Sequence, residues 1–162
     1  AAETTQPVKA TGGLRVLPDY DLNDCPPLDI LVVPGGWGTR KGMLNDRLVG
    51  WIAERAKQVD TLASVCTGSL LLGKAGLLDG KRATTHWWAL GLLRETFPKI
   101  TVLDDQHVVE DGRILTSAGI SAGIDMALKV VQRYHGDAVS RATAKYMEYP
   151  FPESNARRIA IA

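Results

Sequence analysis

The spacing of apolar residues along the chain switches repeatedly between two patterns. Residues 28–33 form a short, mostly apolar and β-branched run that ends in Pro34-Gly35-Gly36-Trp37-Gly38, the signature of a buried strand entering a glycine-rich loop. Leu48, Val49, Trp51, Ile52, Ala53 and Ala56 then fall on one helical face, with Asn45 or Asp46 available as the N-cap. Residues 59–65 predict a second buried strand, and 67–75 a helix of small residues and leucines closed by Gly76. A turn at Asp79-Gly80 leads to a short strand over 83–85, and residues 87–97 have helical spacing that stops ahead of Pro98. Residues 100–103 and 107–109 read as strands, Asp111-Gly112 as a hairpin turn, and 113–116 as a returning core strand. A small-residue loop over 117–121 precedes amphipathic helices at 122–134 and 137–147, and Pro150-Phe151-Pro152 ends regular structure. Before all of these, only a weak extended stretch is visible, at 14–17.

Strands alternating with crossovers that contain helices predict an α/β fold: a parallel-dominated sheet with helices on both faces. Ligands in such folds bind beyond the carboxyl ends of the strands, and both the Gly35-Gly36 loop and Cys66 fall at such ends. The 162 residues, 45% of them hydrophobic, suit one domain with one main core, taken here as 1–162.

Charge narrows the function classes. Lys and Arg number 19 against 18 Asp and Glu, a net charge of +1, so no nucleic-acid binding is expected of this domain alone. No run of about 18 apolar residues and no charged-then-apolar leader is present, so the reading is a cytoplasmic protein with no membrane partner. Cys25 and Cys66 stand in different contexts and are expected to remain free thiols. With His86, His107 and His135 scattered, no metal site and no cofactor are expected.

The chemistry centres on Ala63-Ser64-Val65-Cys66-Thr67-Gly68-Ser69. This segment puts a nucleophile where a strand turns sharply into a helix, a geometry like the nucleophile elbow of hydrolases. Backbone N–H groups and the positive dipole end at the helix start favour the thiolate and can also receive an oxyanion. Gly68 allows close backbone approach and Thr67 supplies a hydroxyl. A buried cysteine acting as a small hydrophobe is the alternative, and it needs no such junction. Cys25, which precedes Pro26-Pro27, reads as a packing residue.

Pro34-Gly35-Gly36, residues 64–76, Ala83-Thr84-Thr85-His86-Trp87, Ile114-Leu115-Thr116-Ser117-Ala118-Gly119 and Gly123-Ile124-Asp125 together resemble the ThiJ/PfpI, or class I glutamine amidotransferase-like, superfamily from about residue 7 to residue 150. The combination is most similar to its isocyanide hydratase branch, and also to the sensor domains of AraC-type regulators. The resemblance implies a flavodoxin-like, usually dimeric fold, with Cys66 as nucleophile, Thr67 beside it, and Gly35, Gly36, Thr67 and Gly68 around a small-molecule substrate. The peptidase-like branch has His after its cysteine where this chain has Thr67, which weakens an amidase reading. The superfamily's first strand and helix, with the carboxylate that faces the cysteine, have no match. The chain therefore reads as N-terminally incomplete by a βα unit and part of a strand, on the order of 40 residues.

In a related branch, Thr-Thr-His brings an imidazole near the cysteine, so His86 either orients or deprotonates the thiol or else caps the helix that begins at Trp87. Trp87 and Trp88 read as core and cleft wall, Asp125 as support for a helix start, His107 as a surface-strand residue and His135 as a helix-end residue. The implied activity is isocyanide hydration to an N-formamide through a Cys66 thioimidate. The alternatives are a glyoxalase- or amidase-type cysteine enzyme and a non-catalytic ligand or redox sensor. A regulator would continue into a helix-turn-helix segment, and the short tail after Pro150 points to a stand-alone protein.

Overall fold

The computed structural model describes residues 1–159; residues 160–162, which end the tail, lie outside the described residues. In chain order the elements are β1 (Val8–Lys9), β2 (Arg15–Val16), β3 (Ile30–Val33), α1 (Thr39–Gly42), α2 (Asp46–Ala56), β4 (Thr61–Val65), α3 (Gly68–Lys74) and β5 (Arg82–Ala83). A 3-10 turn at Trp87–Ala89 then leads into α4 (Leu90–Thr96), β6 (Thr101–Val102), β7 (Val108–Asp111), β8 (Ile114–Ser117), α5 (Ala122–His135) and α6 (Asp137–Tyr146).

The main sheet has the order β3-β4-β8-β7. Its first three strands run parallel, and β7 returns antiparallel to β8. The tight turn between β7 and β8 uses Gly112 at φ 62°, a left-handed conformation that glycine adopts without steric cost. Register decides which side chains share a face. Leu31, Leu62 and Ile114 stand in one row, and Val32, Ala63 and Leu115 in the next, pointing the opposite way. The first row packs with Ile52 and Ala56 of α2 and Leu70, Leu71 and Leu72 of α3. On the other side, Ala63 and Leu115 pack with Val108 and with Met126 of α5. β4 is buried from Thr61 to Ser64, which is why its sequence shows no polar alternation. Outside this sheet lie an antiparallel β1-β2 hairpin and a parallel β5-β6 pair.

Local chemistry accounts for the element boundaries. Asn45 is the N-cap of α2, its side chain accepting from the Leu48 N–H at 3.1 Å, while Asp46 occupies the first turn. The helix predicted over 87–97 begins instead as a 3-10 turn, and α1 is an added short helix directly after the glycine-rich loop. No helix among the described residues is long and apolar enough to cross a membrane.

Candidate active site

β4 ends at Val65, α3 begins at Gly68, and the intervening Cys66 has φ 56°. A non-glycine residue in this left-handed region costs about 1–2 kcal/mol. Four hydrogen bonds hold it there. The Cys66 N–H donates to the carbonyls of Ser117 (3.1 Å) and Ala118 (3.3 Å). Its carbonyl accepts from the hydroxyls of Thr85 (2.9 Å) and Ser69 (3.2 Å). At about 0.5–1.5 kcal/mol each, these contacts outweigh the strain.

Glycine permits two close approaches around this turn. A Cβ on Gly35 would lie 2.7 Å from both the Thr67 nitrogen and the Val65 oxygen, so the loop after β3 rests directly on the Cys66 backbone. A Cβ on Gly68 would strike the Val33 carbonyl oxygen and come within 3.0 Å of the Pro34 oxygen. Thr67 locks the junction from its side chain. Its hydroxyl donates to the Gly36 carbonyl at 3.0 Å and accepts from the Gly36 N–H at 2.9 Å.

Cys66 opens into a cavity of about 560 Å³, a size that suits a small organic ligand. Of the residues predicted for the site, Cys66, Thr67, His86, Gly35 and Gly36 line this cavity. Gly68 does not: it is buried beneath the junction, and its role is close packing against the end of β3. Trp88 forms wall and neither Trp87 nor Trp88 is core; both are exposed, at 47% and 55%. Cys25 is buried, and its thiol contacts the Pro26 carbonyl at 3.7 Å.

His86 takes the capping role and also lines the cavity. Its Nδ1 accepts from the Trp88 N–H at 3.3 Å, capping the 3-10 turn, and its ring also faces the cavity. With Nδ1 engaged as acceptor, the hydrogen-bond network assigns the proton of the neutral imidazole to Nε2. Burial lowers the His86 pKa, and the positive charges of Arg157 and Arg40 lower it further. The imidazole is therefore a neutral Nε2–H donor near neutral pH. Gly119 makes room for it, since a Cβ there would fall on the ring.

A second polar cluster was not legible in the sequence. His107, read as a surface residue, is buried at 8% exposure, with Nε2 3.1 Å from a carboxylate oxygen of buried Asp125. That contact is close but lies off the line of a good hydrogen bond, leaving both ring nitrogens without one. Burial lowers the His107 pKa more than Asp125 raises it. Asp125 accepts from the Tyr149 hydroxyl (3.0 Å) and from Arg158 (2.6 Å). The tail beyond Pro150 is also stitched down. Asn155 bridges the backbone of Val108, while Arg157 donates to the Thr84 hydroxyl (2.7 Å) and the Thr85 carbonyl (3.2 Å).

The chain is 44% identical to the isonitrile hydratase of Pseudomonas putida over 143 residues, covering 88% of this chain and 61% of that protein. It is 34% identical over 142 residues to the HTH-type transcriptional regulator GbdR of Pseudomonas aeruginosa (strain UCBPP-PA14), covering 88% of this chain and 38% of the regulator. This chain thus spans less than two thirds of either relative. The crystal structure of a ThiJ/PfpI family protein from Pseudomonas syringae superimposes with a TM-score of 0.85 at 33% identity, covering 94% of this chain and 63% of that one. The DJ-1/PfpI family model matches residues 1–133, a span that contains the strand-to-helix cysteine, the glycine loop resting on it and His86. The chain belongs to the DJ-1/PfpI family.

Proposed function

We propose that Cys66 is the nucleophile of an isocyanide hydratase-type reaction that converts an isocyanide and water to an N-formamide. The observation that carries this reading is Cys66 itself, held at φ 56° in the lining of an apolar-walled cavity and braced by backbone contacts on both sides. The 44% identity to an isonitrile hydratase supports the choice of substrate class.

In this scheme the Cys66 sulfur bonds to the terminal isocyanide carbon, a soft electrophile suited to a thiolate, and that carbon takes up the proton the thiol released. The product of this step is a thioimidate. Water then adds to the same carbon, the nitrogen gains a proton, and the C–S bond breaks to release formamide and regenerate Cys66. The Nε2–H of His86 serves as a hydrogen-bond donor to the adduct, and the Thr67 hydroxyl keeps the Gly36 loop in place while charge moves.

The test is formamide production by the full-length protein with phenyl and cyclohexyl isocyanide. Turnover is expected, with Cys66→Ser lowering it by several orders of magnitude because the nucleophile itself is lost. If neither isocyanide is consumed while Cys66 still reacts with iodoacetamide, the hydratase reading fails. A ligand-sensing role, suggested by the likeness to a transcriptional regulator, then becomes the better account.

A further inference from the structure

The outer wall of the Cys66 cavity has a chemistry of its own. Trp37, in the glycine-rich loop, and Trp88, in the 3-10 turn, meet edge to face with ring centroids 4.8 Å apart. The guanidinium of Arg40 stands 5.1 Å from the Trp37 ring centroid and 5.4 Å from that of Trp88, within cation–π range of both. Arg40 is fixed there by α1, whose first residue Thr39 is buried and donates its hydroxyl to the Gly36 carbonyl at 2.9 Å.

Arg40 is the only Lys, Arg, Asp or Glu among the cavity-lining residues. Among the described residues it also forms no ion pair. A guanidinium laid over two indoles has lost part of its hydration and keeps its planar N–H fork free, an arrangement matched by a carboxylate. The indoles and Ile120 offer the adjoining surface to a flat apolar ring. The positive field is already felt inside the cavity, since Arg40 contributes to holding His86 neutral.

We propose that this wall is an anionic-aromatic subsite, and that the preferred substrate is an aryl isocyanide bearing a carboxylate. Its ring packs against Trp37, Trp88 and Ile120, its carboxylate pairs with Arg40, and its isocyanide carbon is presented to Cys66. The assignment of substrate rests on the hydratase reading; the subsite itself does not.

Calorimetric titration of the full-length protein with 4-formamidobenzoate and with formanilide, the charged and neutral formamides, tests the subsite without any turnover. Wild type and Cys66→Ser are expected to bind the carboxylate about tenfold more tightly, the scale of one partly desolvated charge-assisted contact. Arg40→Gln is expected to bring the ratio to within twofold, and Arg40→Lys to retain part of it. In wild type the ratio also shrinks on raising NaCl from 50 to 500 mM, a measurement that stands even if Arg40→Gln fails to fold. A wild-type ratio near one, or a ratio unchanged by Arg40→Gln, overturns the proposal. Comparing kcat/KM for 4-isocyanobenzoate and phenyl isocyanide separates the two claims. An Arg40-dependent binding preference without turnover upholds the subsite and removes the hydratase chemistry. Turnover of both isocyanides at equal kcat/KM upholds the chemistry and removes the assignment of a carboxylate-bearing substrate.

Discussion

Gly68→Ala probes the contact that seats α3 against β3 beneath Cys66. The added methyl would strike the Val33 carbonyl oxygen and lie 3.0 Å from both the Pro34 oxygen and the Val33 carbonyl carbon. All three atoms are main chain, so no side-chain rotation relieves the clash; the end of β3 and the start of α3 must separate. Overpacking of this kind costs about 1–3 kcal/mol, and the rigid partners place this site at the upper end. Alanine's better helix propensity returns up to about 1 kcal/mol, leaving a net loss near 2 kcal/mol. For a chain of this length that lowers Tm by about 4–8 °C. Gly50→Ala is the matched control: it lies within α2 with nothing within 4 Å of its added Cβ, and should stabilise by about 0.5–1 kcal/mol. Scanning calorimetry of both variants, with the iodoacetamide rate at Cys66 as a local readout, checks the reasoning. Gly68→Ala melting at or above wild type with an unchanged alkylation rate would refute it.

Other outcomes follow from the same contacts. Limiting iodoacetamide should label Cys66 well before Cys25 in the folded protein, because only Cys66 opens into a cavity while Cys25 is buried; peptide mass spectrometry reads the order, and faster labelling of Cys25 would remove Cys66 from its role. His86 and His107 both have pKa values lowered by burial, so the folded chain binds fewer protons than the unfolded one. Their contribution is complete above the unfolded value of about 6.5 and is lost as pH falls below it. The urea midpoint should therefore drop from pH 7 to pH 5.5, with a shallower slope in His107→Gln; a flat or rising midpoint on acidification contradicts this.

What the sequence made legible was local. The apolar run ending at Val65, the cysteine after it and the small residues that follow mark a strand, a turn and a helix within about ten positions, and such periodicity survives in any tertiary context. The same holds for the glycine loop after Val33, because a glycine pair directly after a buried strand breaks the extended run and turns the chain. The missed features depend on partners distant in sequence. His107 is buried because Asp125 lies beside it and the tail crosses over it, with the Asn155 carbonyl accepting from the His107 N–H. Arg157 reaches back to Thr84 and Thr85 across more than 70 positions. Nothing near Pro150 signals that Asn155, Arg157 and Arg158, which lie outside any helix or strand, are pinned by side-chain hydrogen bonds. The 3-10 start at Trp87 was hidden by a local contact: one imidazole capping a turn overrides a helical spacing that begins three residues too early.

The close seating of Gly35 on the Cys66 backbone has an evolutionary consequence. Cys66 is held by main-chain atoms of the neighbouring strands and loops and by the hydroxyls of Thr85 and Ser69, whereas the cavity wall includes the exposed side chains Trp37, Trp88 and Ile120. Those side chains contribute little to the core, so they can be replaced singly while the thiol keeps its position and the fold its stability. Heredity can thus vary what enters the cavity independently of the thiol that it meets there. A lineage with this framework has a short mutational route between ligands, and a long one between reactive groups.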